Sequence, residues 1–247
     1  MSDNASKAAP RSWLREELPY ILPMAVFMLL VWAGGRGPWW YVSAYYLKTL
    51  VVGALLLCFW KRYTKVRWDY WWLGVIAGIV GIVQWVGMEK TLMHYWPNYP
   101  RIPGSADVFN PYEHFTSAAA MWSFIITRWF CATVVVAFME ELFWRDYLWR
   151  LVIAPSDFKL AAVGEWNPAA LAVVTVLFAS VHPQWMTALV WGLMVGGLLL
   201  WTRSLGACII AHGVTNLLLG AYVQWGHLVF AGVDHWLVPR QPEWFFW

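Results

Sequence analysis

Three short stretches hold the side chains able to do chemistry in an otherwise apolar chain. The first, AFMEELFWRDYLWR, sets Glu140 beside Glu141, with Arg145 and Asp146 one turn later. The second, TVLFASVHPQW, carries Phe178 and His182, and the third, CIIAHGVTNLLLG, carries His212 and Asn216. Helical residues four apart share a face, so Glu141 and Arg145 form an acid-to-base pair in the favourable order. Glu140 then points about 100° away, free for another task. His212 and Asn216 share a face by the same rule and offer an imidazole and an amide as hydrogen-bond donors. Phe178 and His182 also stack, and Pro183 disfavours helical backbone at His182, so that helix ends there.

Each stretch has a plainer reading. The two glutamates describe a helix end meeting water, His182 a satisfied core histidine, and His212 with Asn216 interhelical hydrogen-bonding glue. Together they weigh differently, because an ionisable group at the bilayer centre costs at least about 2.5 kcal/mol and needs a reason. A carboxylate pair, an arginine, two histidines and an asparagine on three separate apolar segments point to one convergent polar site.

The elements that must position these groups are membrane helices. The chain is 61% hydrophobic and only 13% charged, against about 25% charged in ordinary soluble domains. Apolar runs near 18–35, 39–60, 71–89, 119–143, 168–183, 185–202 and 204–224 are read as spans, with a weaker stretch near 227–238. The fold class is therefore all-α, a polytopic transmembrane bundle of seven to eight spans. Many of the 22 tryptophans fall at span ends, among them Trp39, Trp40, Trp60, Trp71, Trp72, Trp166, Trp185, Trp201 and Trp225. Gly74, Gly78, Gly81 and Gly87 make a small-residue stripe for close helix packing. Cys58, Cys131 and Cys208 sit inside spans and read as packing residues, with no disulfide or thiolate-metal spacing. The loop HYWPNYPRIPGSADVFNPYEHFTS is too rich in proline and glycine for a continuous helix.

Charge sets the orientation. Lys61, Arg62, Lys65 and Arg67 crowd one loop; placing it in the cytoplasm also puts Lys7, Arg11, Arg15, Arg145, Arg150, Lys159 and Arg203 inside. Arg36, Lys90, Arg101 and Arg240 fall outside. The N-terminus is then cytoplasmic, and no removable signal peptide is expected because the first apolar segment lacks a small-residue cleavage site. A net charge of +3 scattered over loops argues against nucleic acid as a partner. The chain divides into a cytoplasmic segment 1–17, N-terminal spans and loop 18–118, a helical core 119–224 that carries the three motifs and an aromatic C-terminal segment 225–247. This reading sets Glu140 near the cytoplasmic end of its helix and His182 about 21 Å deeper. One site then requires residues 146–166 to re-enter, the His182 helix to tilt or begin elsewhere, or a different topology.

The ordered motifs E-E-x-x-x-R, F-x-x-x-H and H-x-x-x-N resemble the CAAX protease and bacteriocin-processing (CPBP) family of intramembrane proteases, related to Ras-converting CAAX endopeptidases. The resemblance covers roughly residues 119–224. It implies a glutamate-dependent endopeptidase that cuts a peptide bond near the membrane surface of a membrane-associated, CAAX-like peptide or protein, in the inner (plasma) membrane of a bacterium. It implies Glu140 as general base, His182 as the group sharing the proton of the attacking water, and His212 and Asn216 as oxyanion donors. Glu141 and Arg145 become the structural pair, Phe178 a wall for the histidine, and no cofactor is called for. Two departures stand out: Asp146, where the family often has glycine, free to pair with Arg145 or Arg150, and the long insert RLVIAPSDFKLAAVGEWNP. Length and aromatic richness resemble the CAAX-protease-related proteins found with exosortase protein-sorting systems.

Other chemistries stay open on the residues alone. Glu140, His182 and His212 could ligate zinc with a bound water as nucleophile, although no H-E-x-x-H helix supports it. Cys208 with His212 could make a thiol–imidazole pair. A transporter, scaffold or immunity protein with buried Glu and His but no proteolysis is the non-enzyme alternative. Oligomeric state is not legible.

Overall fold

Long apolar runs satisfy their backbone groups in hydrocarbon only by coiling into helices, and the computed structural model is built from seven of them. It describes residues 13–101, 109–233, 235–237, 239 and 241–246. Among these no strand occurs. The principal helices are α1 (Leu18–Gly34), α2 (Pro38–Cys58), α3 (Trp71–Tyr95), α4 (Ala118–Ile153), α5 (Pro168–Ser180), α6 (Trp185–Thr202) and α7 (Leu205–Val229). Their starts follow local rules. Proline opens α2 and α5, where its missing N–H costs nothing. Ser117, Asn167 and Ser204 accept the orphan N–H groups of Ala120, Ala170 and Ala207 at the starts of α4, α5 and α7.

The all-α class stands, but the span count does not reach seven by length. Five helices, α2, α3, α4, α6 and α7, are long and apolar enough to cross a membrane; α1 has 17 residues and α5 only 13. Beyond α7 the described residues contain only one short helical turn, Trp244–Phe246, so the weak stretch near 227–238 forms no separate helix there. Lys7, Arg11 and Arg240, which entered the charge argument, lie outside the described residues, as does part of the proline-rich loop.

One boundary changes the whole reading. α4 does not stop at 143 but runs 36 residues to Ile153, about 54 Å at 1.5 Å per residue. Glu140 therefore sits well inside a long helix, and the depth conflict with His182 disappears without any re-entrant segment. Arg145 and Arg150, counted from sequence as cytoplasmic charges, are buried side chains of α4. The helix is not uniform: Cys131–Val136 and Leu142–Leu148 are π-helical, and the two glutamates end the α-helical piece between them. Such wide turns concentrate at functional sites.

α4 continues through charged residues because their partners are waiting. Asp146, fully buried, accepts from Arg150 Nη1 at 2.5 Å and from the Tyr20 hydroxyl of α1 at 3.0 Å. Arg150 also donates to Thr64 Oγ1 (2.9 Å) and to the Ala161 carbonyl (2.8 Å). The Thr64 N–H in turn reaches the Tyr20 hydroxyl at 3.0 Å. One aspartate thus fastens α1, the basic loop after α2 and the turn after α4 to the helix bearing the glutamates. Asp146 pairs with Arg150, not Arg145, which settles that choice.

Small residues set the inner contacts. A Cβ built at Gly74 would lie 2.5 Å from the Ala207 carbonyl and one at Gly78 2.6 Å from Val214 Cβ, so α3 and α7 approach closely only because those atoms are missing. Gly81 meets Trp191, but Gly87 faces open space and drops out of the stripe. At Gly213 a Cβ would sit 2.9 Å from the Thr133 carbonyl, which lets α7 lie against the first π-helical stretch of α4. Trp39, Trp40, Trp71, Trp166 and Trp201 are exposed at helix ends, whereas Trp85, Trp144, Trp149 and Trp191 are core residues.

Removing one partner of a buried ion pair strands the other charge. Asp146→Ala is expected to lower the unfolding free energy by about 3 kcal/mol, and Tyr20→Phe by about 1 kcal/mol, measured by denaturant unfolding in detergent micelles.

Candidate functional site

The site is assembled on the middle of α4, where the chain supplies two adjacent carboxylates that end up in different surroundings. Glu141 is fully buried, and its Oε1 accepts twice: from Arg145 Nη1 at 3.1 Å and from His212 Nδ1 of α7 at 2.8 Å. The first contact is the i,i+4 pair expected from spacing. The second crosses to another helix and was not legible in sequence. Glu140, also buried, leaves its Oε2 without a hydrogen-bond partner. Glu141 Oε2 and Arg145 Nη2 are likewise buried and unbonded. Buried polar atoms are normally satisfied, so this group retains unpaired donors and acceptors.

His182 lies in the turn between α5 and α6, since α5 ends at Ser180 ahead of Pro183. Its Nδ1 is 2.7 Å from the Phe178 carbonyl, its ring lies 4.4 Å from the Phe178 ring centre, and Trp85 of α3 meets it edge-on. The Arg145 guanidinium in turn sits 4.6 Å from the Phe178 ring centre. Phe178 therefore links Arg145 and His182 physically as well as walling the histidine. His182 also lies near enough to Glu140, His212 and Arg145 to feel their charges.

The two histidines are held alike. A carbonyl and a carboxylate can only accept, so in both rings Nδ1 carries the hydrogen and Nε2 remains for a ligand. Asn216 stands one turn beyond His212 on α7, half-buried, and donates from Nδ2 to the Ala132 carbonyl at 2.8 Å. That carbonyl belongs to the first π-helical stretch, whose altered register leaves it available. Asn216 keeps a second N–H and its side-chain oxygen.

Contacts thus join Glu141, Arg145, Phe178, His182 and His212, with Glu140 next to them and Asn216 a turn away. Cys208 is buried with its thiol 3.8 Å from the Val195 carbonyl, while His212 Nδ1 is engaged by Glu141, so no thiol–imidazole pair forms. Among the described residues no three His, Cys, Asp or Glu side chains are grouped to hold a metal ion.

Three intramembrane charges escaped the motif search. Lys48 is buried with its ammonium 3.5 Å from the Tyr45 ring centre, and Arg128 is buried over Tyr41 and Tyr45. Each is a basic residue set in an apolar run of the sequence and was visible as such. Glu89, fully buried, accepts from Tyr99, from Arg101 at 2.7 Å and from Thr187 at 3.0 Å. It hid at the predicted end of a span that in fact continues to Tyr95. Burial of Tyr99 and its bond to Glu89 push its hydroxyl pKa up to about 12, so it stays a donor at physiological pH.

Residues 122–218 match a family model described as Rce1-like, type II CAAX prenyl endopeptidase Rce1-like. The match takes in all seven site residues and most of α4 through the first half of α7, leaving α1–α3 outside. Neither the curated proteins nor the solved structures gave a match.

The unequal bonding of the glutamates predicts unequal costs of neutralisation. Glu141→Gln is expected to destabilise the protein by about 3 kcal/mol, because two buried partners lose their counter-charge. Glu140→Gln, which strands no bonded partner, should cost markedly less. Paired unfolding curves in one detergent check both.

Proposed function

We propose that this membrane protein, whose residues 122–218 match the Rce1-like, type II CAAX prenyl endopeptidase model, is an endopeptidase of the CAAX protease and bacteriocin-processing family in which Glu140 activates water. The family implies a CAAX-type protease acting on membrane-associated substrates within the bilayer. The observation that carries the finer reading is the contrast between the neighbouring carboxylates. Glu141 is held through its Oε1 by Arg145 and His212 and leaves only its Oε2 unbonded, whereas no donor among the described residues holds buried Glu140, which lies near enough to His182 to feel its charge.

In the proposed reaction, Glu140 takes a proton from a water held between its carboxylate and His182 Nε2. The resulting hydroxide attacks the peptide carbonyl carbon, and the carbonyl oxygen becomes an oxyanion. Asn216 donates its second N–H to that oxygen, and His212 does so from Nε2 when doubly protonated. Fixed donors in a poorly solvated pocket are worth most where charge develops. The proton held on Glu140 then passes to the leaving amine, the C–N bond breaks, and the carboxylate is restored. Arg145 balances the charge of Glu141 and holds it in the brace.

The basic loop 61–67 and the clamp on Asp146 lie at one end of the bundle, and the positive-inside tendency puts that end in the cytoplasm. A bacterial inner membrane suits this orientation. The substrate is then a peptide segment tethered in or at the bilayer whose scissile bond reaches Glu140 and His182.

Glu140→Gln keeps shape but removes the base, and a general base supplies about 10²–10⁴-fold in rate. Cleavage of a bilayer-tethered fluorogenic peptide in nanodiscs should fall by that factor, and undiminished cleavage would sink the mechanism. A chelator is expected to leave the wild-type rate unchanged; loss restored by zinc alone would move the reaction to the metal alternative.

A further inference from the structure

The residues after α7 turn back onto the bundle, and four of them occupy a constructed seat. Glu243 directs its carboxylate at two donors, Lys90 Nζ of α3 at 2.8 Å and the Tyr222 hydroxyl of α7 at 2.6 Å. Lys90 is 7% exposed, and Trp244 and Phe246 bury their rings. The Phe245 carbonyl accepts from Gln184 Nε2 at 3.1 Å. Gln184 belongs to the α5–α6 turn that carries His182, two residues away. The Phe245 ring lies 6.0 Å from the Arg101 guanidinium, which Glu89 holds in place. A cavity of about 900 Å³ adjoins the seat, with Lys90, His94, Trp236 and Glu243 among its lining residues.

This is how a receptor holds a peptide: a charge clasp for one acid, a side-chain bond to the backbone and apolar seats for aromatic rings. A buried ammonium is costly unless paired, and among the described residues the tail supplies the carboxylate that Lys90 binds. The seat also lies outside the matched residues 122–218 except at Gln184. We propose that it is a peptide subsite for a carboxylate followed by aromatic residues, next to His182, and that Glu243–Phe246 fill it as an internal competitor. A membrane-tethered substrate with an acidic-aromatic segment displaces the tail, carboxylate for carboxylate, and lays its adjoining residues toward His182. Only the claim that the subsite feeds hydrolysis rests on the protease reading.

The test is binding without turnover: a fluorescent peptide containing Glu-Trp-Phe-Phe, titrated by anisotropy against the full chain in nanodiscs. Glu243→Gln weakens the internal competitor, so the peptide should bind about tenfold tighter than to wild type, as expected if the seat is filled about nine-tenths of the time. The peptide with Gln in place of Glu should bind Glu243→Gln about tenfold more weakly than the Glu peptide does, having no carboxylate for Lys90. Adding Lys90→Met to Glu243→Gln should abolish the Glu peptide's gain. Equal binding by wild type and Glu243→Gln, or equal binding of the two peptides, would overturn the proposal. A substrate bearing the segment should show KM about tenfold lower with Glu243→Gln at unchanged kcat. If the binding gain appears but neither protein cleaves any peptide, the subsite stands and the protease reading fails.

Discussion

The arrangement depends on one carboxylate oxygen, Glu141 Oε1, which accepts from Arg145 and His212 in the fully buried middle of the bundle. A charge there is tolerable only if paired and hydrogen-bonded. Because the two donors come from α4 itself and from α7, satisfying Glu141 fixes the α4–α7 contact and the orientation of His212 together. Arg145 then reaches Phe178, and Phe178 seats His182, so α5 is registered by the same charge. Glu140, whose Oε2 has no hydrogen-bond partner, stands outside that brace.

Two backbone features make that convergence possible. The π-helical stretches on either side of Glu140–Glu141 change the angular register of α4, and one of them offers the Ala132 carbonyl to Asn216. Gly213 removes the side chain that would keep α7 from that stretch. Farther along α4 a second buried acid, Asp146, gathers Arg150, Tyr20 and Thr64. The two acids divide the labour along one helix: Glu141 organises the site, and Asp146 fastens the N-terminal elements around it.

The helices α1–α3 and the tail lie outside the matched segment yet touch the site from both ends. Trp85 packs against His182, and Glu89 holds Thr187 near the start of α6 together with Arg101. The turn carrying His182 is therefore shaped by α3 and by the chain that follows it. Three motifs place the clustered polar groups on α4, at the end of α5 and on α7 and say little about what packs around them.

Much was written in the sequence. Apolar runs dictate helices because hydrocarbon offers the backbone no other partner, and the spacing of Glu141–Arg145 and Phe178–His182 places those pairs through local geometry alone. Pro183 ends α5 beside His182 for an equally local reason. What the sequence could not determine was the fate of charges whose partners are remote. The stretch WRDYLWR reads as a helix end entering water, and only Tyr20, Thr64 and Ala161, brought from elsewhere in the chain, let α4 continue through it and set the depth of Glu140. The bond from His212 to Glu141 and the docking of Glu243 on Lys90 have the same character. Periodicity is local, whereas a buried charge is stabilised by whichever distant group the fold delivers.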